Sequence, residues 1–175
     1  MSLVTVNINA TNDRARLPLI WRLGRKFNVV TNLRRARVSP DLAYVALDVE
    51  GSTQEVEQAT AYLRSLGVID GGDKSLVPAH GSEPEDTVSK ANTIAVRLDT
   101  VNVAQYAVPI LYRVGKDYNV VVNIEHAGFD DEEGGYVEVA ISGSLGDIQR
   151  AIAYLHTTGI HVNPRQRSVT DFNNL

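Results

Sequence analysis

The residues of this chain that are able to do acid–base, nucleophilic or metal chemistry are scattered along the sequence. Nucleophilic catalysis needs a nucleophile, a base and an orienting group held together, and no motif here supplies them. The absence of cysteine excludes disulfides, thiolate zinc sites and iron–sulfur clusters. We therefore expect a protein that is not an enzyme and that has no cofactor and no resident metal. Its four histidines lack metal-ligand spacing: His80, His126, His156 and His161.

One acidic cluster remains as a candidate for cation binding. Asp130 to Glu133 are four consecutive carboxylates, and Gly134 and Gly135 follow them. The EF-hand pattern is absent. The sequence leaves two interpretations open, a weak divalent-cation site and a solvated hairpin loop.

Composition and charge narrow the class of protein. The 175 residues are 43% hydrophobic and 22% charged, as in soluble globular proteins. No apolar run is long enough for a membrane span, and residues 1–10 lack the features of a signal peptide, so we expect a cytoplasmic protein that does not insert into membranes. Residues 1–70 carry nine Lys/Arg and seven Asp/Glu, and residues 93–175 carry six and ten. Neither half is basic enough to predict binding of nucleic acid.

The chain contains an internal repeat. The segment from Pro18 to Leu33 recurs from Pro109 to Ile124, and the match resumes one residue out of step from Tyr136 onward. Over the paired segments 17 of 47 positions are identical, which excludes chance. Two copies are too few for a solenoid.

Each copy has the same predicted order of elements. Alternating apolar residues predict strands, and apolar residues at i, i+3, i+4 and i+7 after Pro18 and Pro109 predict a helix in each copy. A hairpin follows, and then a second helix that Ser52 or Thr53 caps and Gly67 ends in the first copy. The order is βαββαβ twice, which predicts an α+β protein of two ferredoxin-like repeats. Each repeat is expected to be a four-stranded antiparallel sheet with two helices on one face.

These patterns also predict the domain limits. We expect the first repeat at 1–70, a flexible linker at 71–92, the second repeat at 93–164 and a tail at 165–175. The linker is rich in Gly, Pro, Ser and acidic residues and has little periodicity.

Both repeats resemble the NIL domain, an ACT-like module. The resemblance lies in the run Arg22 to Leu33, the strand Tyr44 to Gly51 and the helix segment Ala59 to Val68, which recur in the same order in the second copy. Similar domains stand at the C-terminus of methionine-importer ATPase subunits, where they bind methionine and restrain transport, and others are attached to ferredoxins. This chain lacks both the ATP-binding motif and the cysteines of those proteins. The resemblance implies that Asn32 and Asn123, the asparagines of the family's Asn-Ile pair, belong to a ligand site.

Strand parity places Asn32 and Asn123 opposite the buried Thr31/Leu33 set, on the open sheet face or at an interface. An asparagine offers a donor and an acceptor, which suits the carboxylate and ammonium groups of an amino acid. The alternative is an amide that the backbone satisfies. Tyr44 and Tyr136 are outward-facing aromatics, which either stack on a ligand or pack across strands.

Charged and aromatic residues mark a candidate interface between the copies. Arg34, Arg35 and Arg37 stand where the second copy has Glu125 and then the acidic run, so the two sets can face one another if the copies pair like a dimer of ACT-like domains. Solvated surface charge is the alternative. Trp21 and Tyr112 lie outside the apolar helix face, which indicates either an interface or burial against a loop.

Two functional hypotheses follow from these observations. The leading one is a regulatory protein that binds a small molecule, with an amino acid such as methionine first, at a repeat or subunit interface. The alternative is an adaptor that docks a partner protein on its open sheet faces without a small ligand. Homo-oligomerisation and an intramolecular pseudo-dimer both fit these hypotheses.

Overall fold

The computed structural model describes residues 1–69, 92–100 and 108–164. The predicted tail and all of the predicted linker except Asn92, which opens β4, lie outside these residues. The first copy contains β1 (Ser2–Thr11), a 3-10 helix (Asn12–Arg16), α1 (Leu19–Lys26), β2 (Val30–Ser39), β3 (Leu42–Gly51) and α2 (Thr53–Ser65). The second copy contains β4 (Asn92–Thr100), α3 (Ile110–Asp117), β5 (Val121–Asp130), β6 (Gly134–Gly143), α4 (Leu145–Thr157) and β7 (His161–Pro164).

The helix ends follow local chemistry in the same way in both copies. Pro18 and Pro109 immediately precede α1 and α3. The sequence predicted each proline as the first helical residue, so each helix begins one position later than predicted. Ser52 Oγ accepts a hydrogen bond from the Glu55 backbone N–H at 3.2 Å, and Ser144 does the same for α4. These caps satisfy backbone donors that a helix start leaves unpaired.

The described strands form one antiparallel sheet of seven strands in the order β1-β3-β2-β5-β6-β4-β7. The sequence predicted a four-stranded sheet for each repeat and left pairing between the copies open. In the structure β2 and β5 pair edge to edge and join the copies. Within the described residues the first copy contributes three strands, and the Asn9 backbone N–H donates to Val68 O at 2.7 Å where a fourth would run. The junction pairs are Arg35 with Asp130, Ala36 with Phe129, Arg37 with Gly128 and Val38 with Ala127.

A β-bulge interrupts β2 and β5 at equivalent positions. The register with the neighbouring strand shifts between Leu33 and Arg35 in β2 and between Ile124 and His126 in β5. A bulge bends its strand and increases the local twist. Each of these two strands therefore pairs across the junction only beyond its bulge, and its first residues lie clear of the other copy's strand.

Both copies share one hydrophobic core beneath the sheet. Apolar side chains of one parity along the strands pack against the inner faces of the helices in a single cluster. Within the described part of the chain, no helix is long and apolar enough to cross a membrane. The largest fully buried side chains include Leu23, Leu47, Leu63, Ile141, Ile148 and Leu155.

Candidate ligand-binding clefts between the two copies

A pseudo-two-fold axis passes through the junction between the copies. Arg37 pairs with Gly128, which is its own equivalent at the repeat offset. On either side of this pair a small residue faces a larger one, Ala36 opposite Phe129 and Ala127 opposite Val38. The junction therefore packs like the self-complementary interface of a two-fold dimer, although both halves belong to one chain.

The helix pair α1 and α3 follows the same symmetry. A methyl group built on Gly24 would lie 3.0 Å from the Tyr112 ring, and one built on Gly115 would lie 2.7 Å from Trp21 Cδ1. Each helix thus places an aromatic ring against a glycine of the other. Trp21 is only 6% exposed, whereas Tyr112 is half-buried, so the two contacts are equivalent in position but not in depth.

The first of two clefts lies where the start of β2 meets the start of α3. Thr31, Asn32 and Leu33 form the wall that the first copy provides, together with Ile20 of α1. The second copy provides the rest, which is mostly apolar. The cleft encloses about 60 Å³. Its lining from the second copy is Leu98, Thr100, Val108, Pro109, Ile110, Leu111, Phe129, Val137 and Ile160.

The second cleft is the symmetry mate of the first and encloses about 40 Å³. Val122, Asn123 and Ile124 of β5 replace the three residues of β2. The opposite wall comes from the first copy, and there Arg14 and Ala15 of the 3-10 helix also contribute. The lining from the first copy is Ile8, Arg14, Ala15, Leu17, Pro18, Leu19, Ile20, Trp21, Val38, Ala43 and Val45.

The polar atoms of the two clefts differ. Thr31 is 1% exposed, and its Oγ1 has no hydrogen-bond partner among the described residues. The equivalent Val122 has no polar side-chain atom. Asn123 Nδ2 donates to the backbone oxygen of Arg16 at 3.1 Å, and Asn32 also has an interaction of its own. The two family asparagines are thus held at cleft walls, and the residue before each one distinguishes the clefts.

An ion-pair network crosses the junction at one end only. Arg34, the bulge residue of β2, donates through Nε to Asp48 at 2.6 Å and through Nη1 to Asp131 at 3.1 Å. Arg35 Nε donates to Asp130 at 2.7 Å. The hydrogen bonds with Asp48 and Asp131 raise the pKa of Arg34.

Asp130 is held in its charged form by its neighbours. Its carboxylate accepts from the Glu132 backbone N–H at 2.9 Å and from Arg35, and these bonds lower the pKa of Asp130 below its ordinary value of 3.8. Within the described residues no group of three or more potential ligands is arranged to hold a metal ion. Two of the four carboxylates that suggested a cation site are instead paired with arginines.

Among the described residues the other end of the junction has no such network, because the bulge of β5 carries Glu125 where β2 has Arg34. Asp48 has no counterpart either, since Ala140 stands at its equivalent position. The charged contact is therefore a single, asymmetric feature of a nearly symmetric junction.

The two tyrosines predicted to bind a ligand lie away from both clefts. Tyr44 is paired across the sheet with Arg37 and is 47% exposed. Tyr136 lies beneath Arg97, whose Cζ is 4.1 Å from the ring centroid. Both stand on the sheet face opposite the core, and neither is among the residues that line the clefts with Asn32 and Asn123.

Sequence reasoning did not single out Thr31 or the start of α3 as parts of a site. One signal was present, because the segments Asn28-Val-Val-Thr-Asn32 and Asn119-Val-Val-Val-Asn123 differ at one position only. Within these otherwise identical segments, a hydroxyl in place of a methyl group is the sequence difference at the cleft wall. The importance of this difference is visible only in the structure, where the Thr31 hydroxyl has no hydrogen-bond partner among the described residues.

Comparison with known protein families gives a double match. The NIL domain matches residues 4–69 and, a second time, residues 100–164. Together the two matches cover well over half of the chain. The comparison with curated protein sequences finds no match.

Proposed function

Since this chain belongs to the NIL domain family and carries the domain twice, we propose that it is a non-catalytic regulatory protein that binds an amino acid between its two copies. NIL domains are regulatory domains that often bind a ligand. Methionine is the first candidate ligand, and the cytoplasm is the proposed location. The observation that carries the proposal is that both family asparagines line clefts built from the two copies together.

The clefts have the chemistry of small-molecule sites. Such sites are concave and mostly apolar, with a few polar groups that fix orientation. In the first cleft the apolar walls suit an aliphatic or thioether side chain, while the amide of Asn32 offers a donor and an acceptor to a carboxylate or ammonium group. Each cleft has one wall from each copy, so ligand binding would stabilise one arrangement of the two copies.

The arrangement of the copies supports an intramolecular pseudo-dimer of ferredoxin-like, ACT-like modules. The second copy has the strand order β7-β4-β6-β5, and the first has β1-β3-β2 with Val68 bonded beside β1. In this proposal a partner protein binds more tightly to one relative position of the two copies than to another. A ligand that favours one position would then change the affinity for the partner by the same factor as the partner changes affinity for the ligand.

Isothermal titration calorimetry with methionine and the other amino acids tests the proposal. We expect saturable heat with at least one amino acid, and a weaker affinity when the asparagine of the occupied cleft is removed, by Asn32→Ala in the first cleft or Asn123→Ala in the second. Asn7→Ala is the matched control, because Asn7 is an exposed strand asparagine remote from both clefts.

A flat titration across the whole panel would contradict the amino-acid proposal. The adaptor hypothesis would then take its place. One observation favours it, namely that Tyr44 is 47% exposed beside Arg37 on the open sheet face. An exposed tyrosine and arginine are typical anchors of protein interfaces.

A further inference from the structure

The two clefts are equivalent by symmetry but differ in chemistry at one buried position. We propose that only the first cleft takes the ligand, so that one chain binds one molecule, and that Thr31 Oγ1 makes a direct hydrogen bond to it. This inference rests on the proposed function and specifies its site and stoichiometry.

The first argument is the state of the Thr31 hydroxyl. Its residue is 1% exposed, and Oγ1 finds no hydrogen-bond partner among the residues that the structure describes. Buried polar atoms without a partner are rare in folded proteins, because their lost hydration is not replaced. Thr31 is one of the residues that line the first cleft, and in this proposal a molecule in that cleft is the missing partner.

The second argument is space. The first cleft encloses about 60 Å³. One water molecule needs roughly 10–15 Å³ on the same measure. The first cleft therefore has room for a group of several heavy atoms. Its largely apolar lining would offer water molecules few hydrogen-bond partners. An apolar ligand body with a polar head fits these walls better than water does.

The third argument is that the second cleft has no hydroxyl at the position equivalent to Thr31, while the family asparagine of each cleft is already engaged. Val122 replaces Thr31, and the Asn123 amide already donates to Arg16 O at 3.1 Å. Arg14, the charged residue of this cleft, is already engaged. Trp21 also lines this cleft, and its indole N–H has no partner among the described residues, but the indole ring packs against α3, where Nε1 lies 3.5 Å from the position of a methyl group on Gly115.

The ligand class follows from the same walls. A threonine hydroxyl either donates to a carboxylate oxygen or accepts from an ammonium group, so it recognises the head group of an amino acid in both orientations. Among the described residues that line the first cleft, none is charged. A charged side chain on the ligand would add to the two charges of the head group and lose its hydration without a charged partner, which favours amino acids with uncharged, apolar side chains.

Calorimetry on the full chain tests the inference, with L-methionine as the first probe and the remaining amino acids after it. We expect a stoichiometry of one per chain. Thr31→Val preserves shape and removes the hydroxyl, so it should weaken binding by about tenfold. Thr31→Ser keeps the hydroxyl and should bind more tightly than Thr31→Val. Thr93→Val, the same change at an exposed strand position, should leave the affinity unaltered.

The outcomes separate the inference from the proposed function. A stoichiometry of two, or wild-type affinity in Thr31→Val, would overturn the inference while leaving an amino-acid-binding protein. No saturable heat from the wild-type chain with any amino acid would overturn the proposed function, and the inference with it. Circular dichroism melting of each variant shows whether a loss of binding comes from a loss of folding.

Discussion

The two clefts are related by the pseudo-two-fold axis and share most of their residue types, yet the hydrogen bonding of their polar groups differs. The second cleft has a valine at the buried strand position and an asparagine whose amide is bonded to the facing loop. The first has a buried hydroxyl without a partner among the described residues. In the proposal above, the difference between Thr31 and Val122 makes one cleft the ligand site and leaves the other as part of the scaffold.

The junction between the copies shows the same division. Its backbone pairing and its small-against-large core contacts obey the pseudo-two-fold axis, whereas its ion pairs occur at one end only. Hydrophobic packing therefore sets the arrangement of the copies in a symmetric way. The charges add a preference at one end, and exposed ion pairs of this kind contribute specificity more than stability.

The largest expected effect concerns the two equivalent aromatics of the helix contact. Trp21→Ala should lower the free energy of unfolding by about 3–5 kcal/mol, as for other buried tryptophans. Tyr112→Ala should cost roughly half as much, since Tyr112 is only half-buried. Urea unfolding of both variants measures the difference.

Trp21→Phe is the control for this comparison. The indole N–H of Trp21 has no partner among the described residues, so phenylalanine loses ring area but no hydrogen bond. We expect Trp21→Phe to be clearly more stable than Trp21→Ala. Equal losses for Trp21→Ala and Tyr112→Ala would show that the two halves of the helix contact are energetically alike.

Much of the fold follows from periodicity in the sequence. The repeat and the order of elements are visible because each copy buries one face of its strands and helices, and because Ser52 and Ser144 mark helix starts. Membership of the NIL family, inferred from three short segments, is confirmed by the match to both copies. The sequence raised pairing of the copies as one alternative but could not decide it, since strand parity fixes faces and does not say which edges pair.

The site was harder to predict than the fold. The family resemblance directed attention to Asn32 and Asn123, and parity allowed an interface as one location for them. Both bulges, at Arg34 and Glu125, escaped sequence reasoning because a bulge has no fixed residue signature. Thr31 escaped it as well, because an unpartnered hydroxyl becomes visible only when all of its neighbours are placed.

A reciprocal pair of substitutions sharpens the comparison of the clefts without any ligand. Thr31→Val removes a buried, unpartnered hydroxyl and should stabilise the free protein by about 1 kcal/mol. Val122→Thr places a hydroxyl at the equivalent buried position and should destabilise it by about 1–2 kcal/mol. Denaturant unfolding of both variants checks the opposite signs. Destabilisation by Thr31→Val would mean that the hydroxyl has a partner in the free protein.

The smallest effect concerns the hairpin turns that the two copies place at the junction. The pKa of Asp130 in the folded chain is lowered, so its contribution to stability is present above its ordinary pKa of 3.8 and is lost as the pH falls through the lower folded value. Asp130→Asn should therefore be less stable than the wild type at pH 7, and the difference should disappear in strong acid. Urea midpoints measured between about pH 7 and pH 2 follow this change.

The matched control is Asp41→Asn in the corresponding turn of the first copy. Asp41 is 79% exposed and lies 3.7 Å from Arg16, so this pair is a loose surface contact that should contribute little at any pH. A stability difference for Asp130→Asn that stays constant across the pH range would show that the carboxylate charge is not what joins this turn to Arg35. The stability of this end of the junction would then come from side-chain packing alone, as it does in the symmetric part.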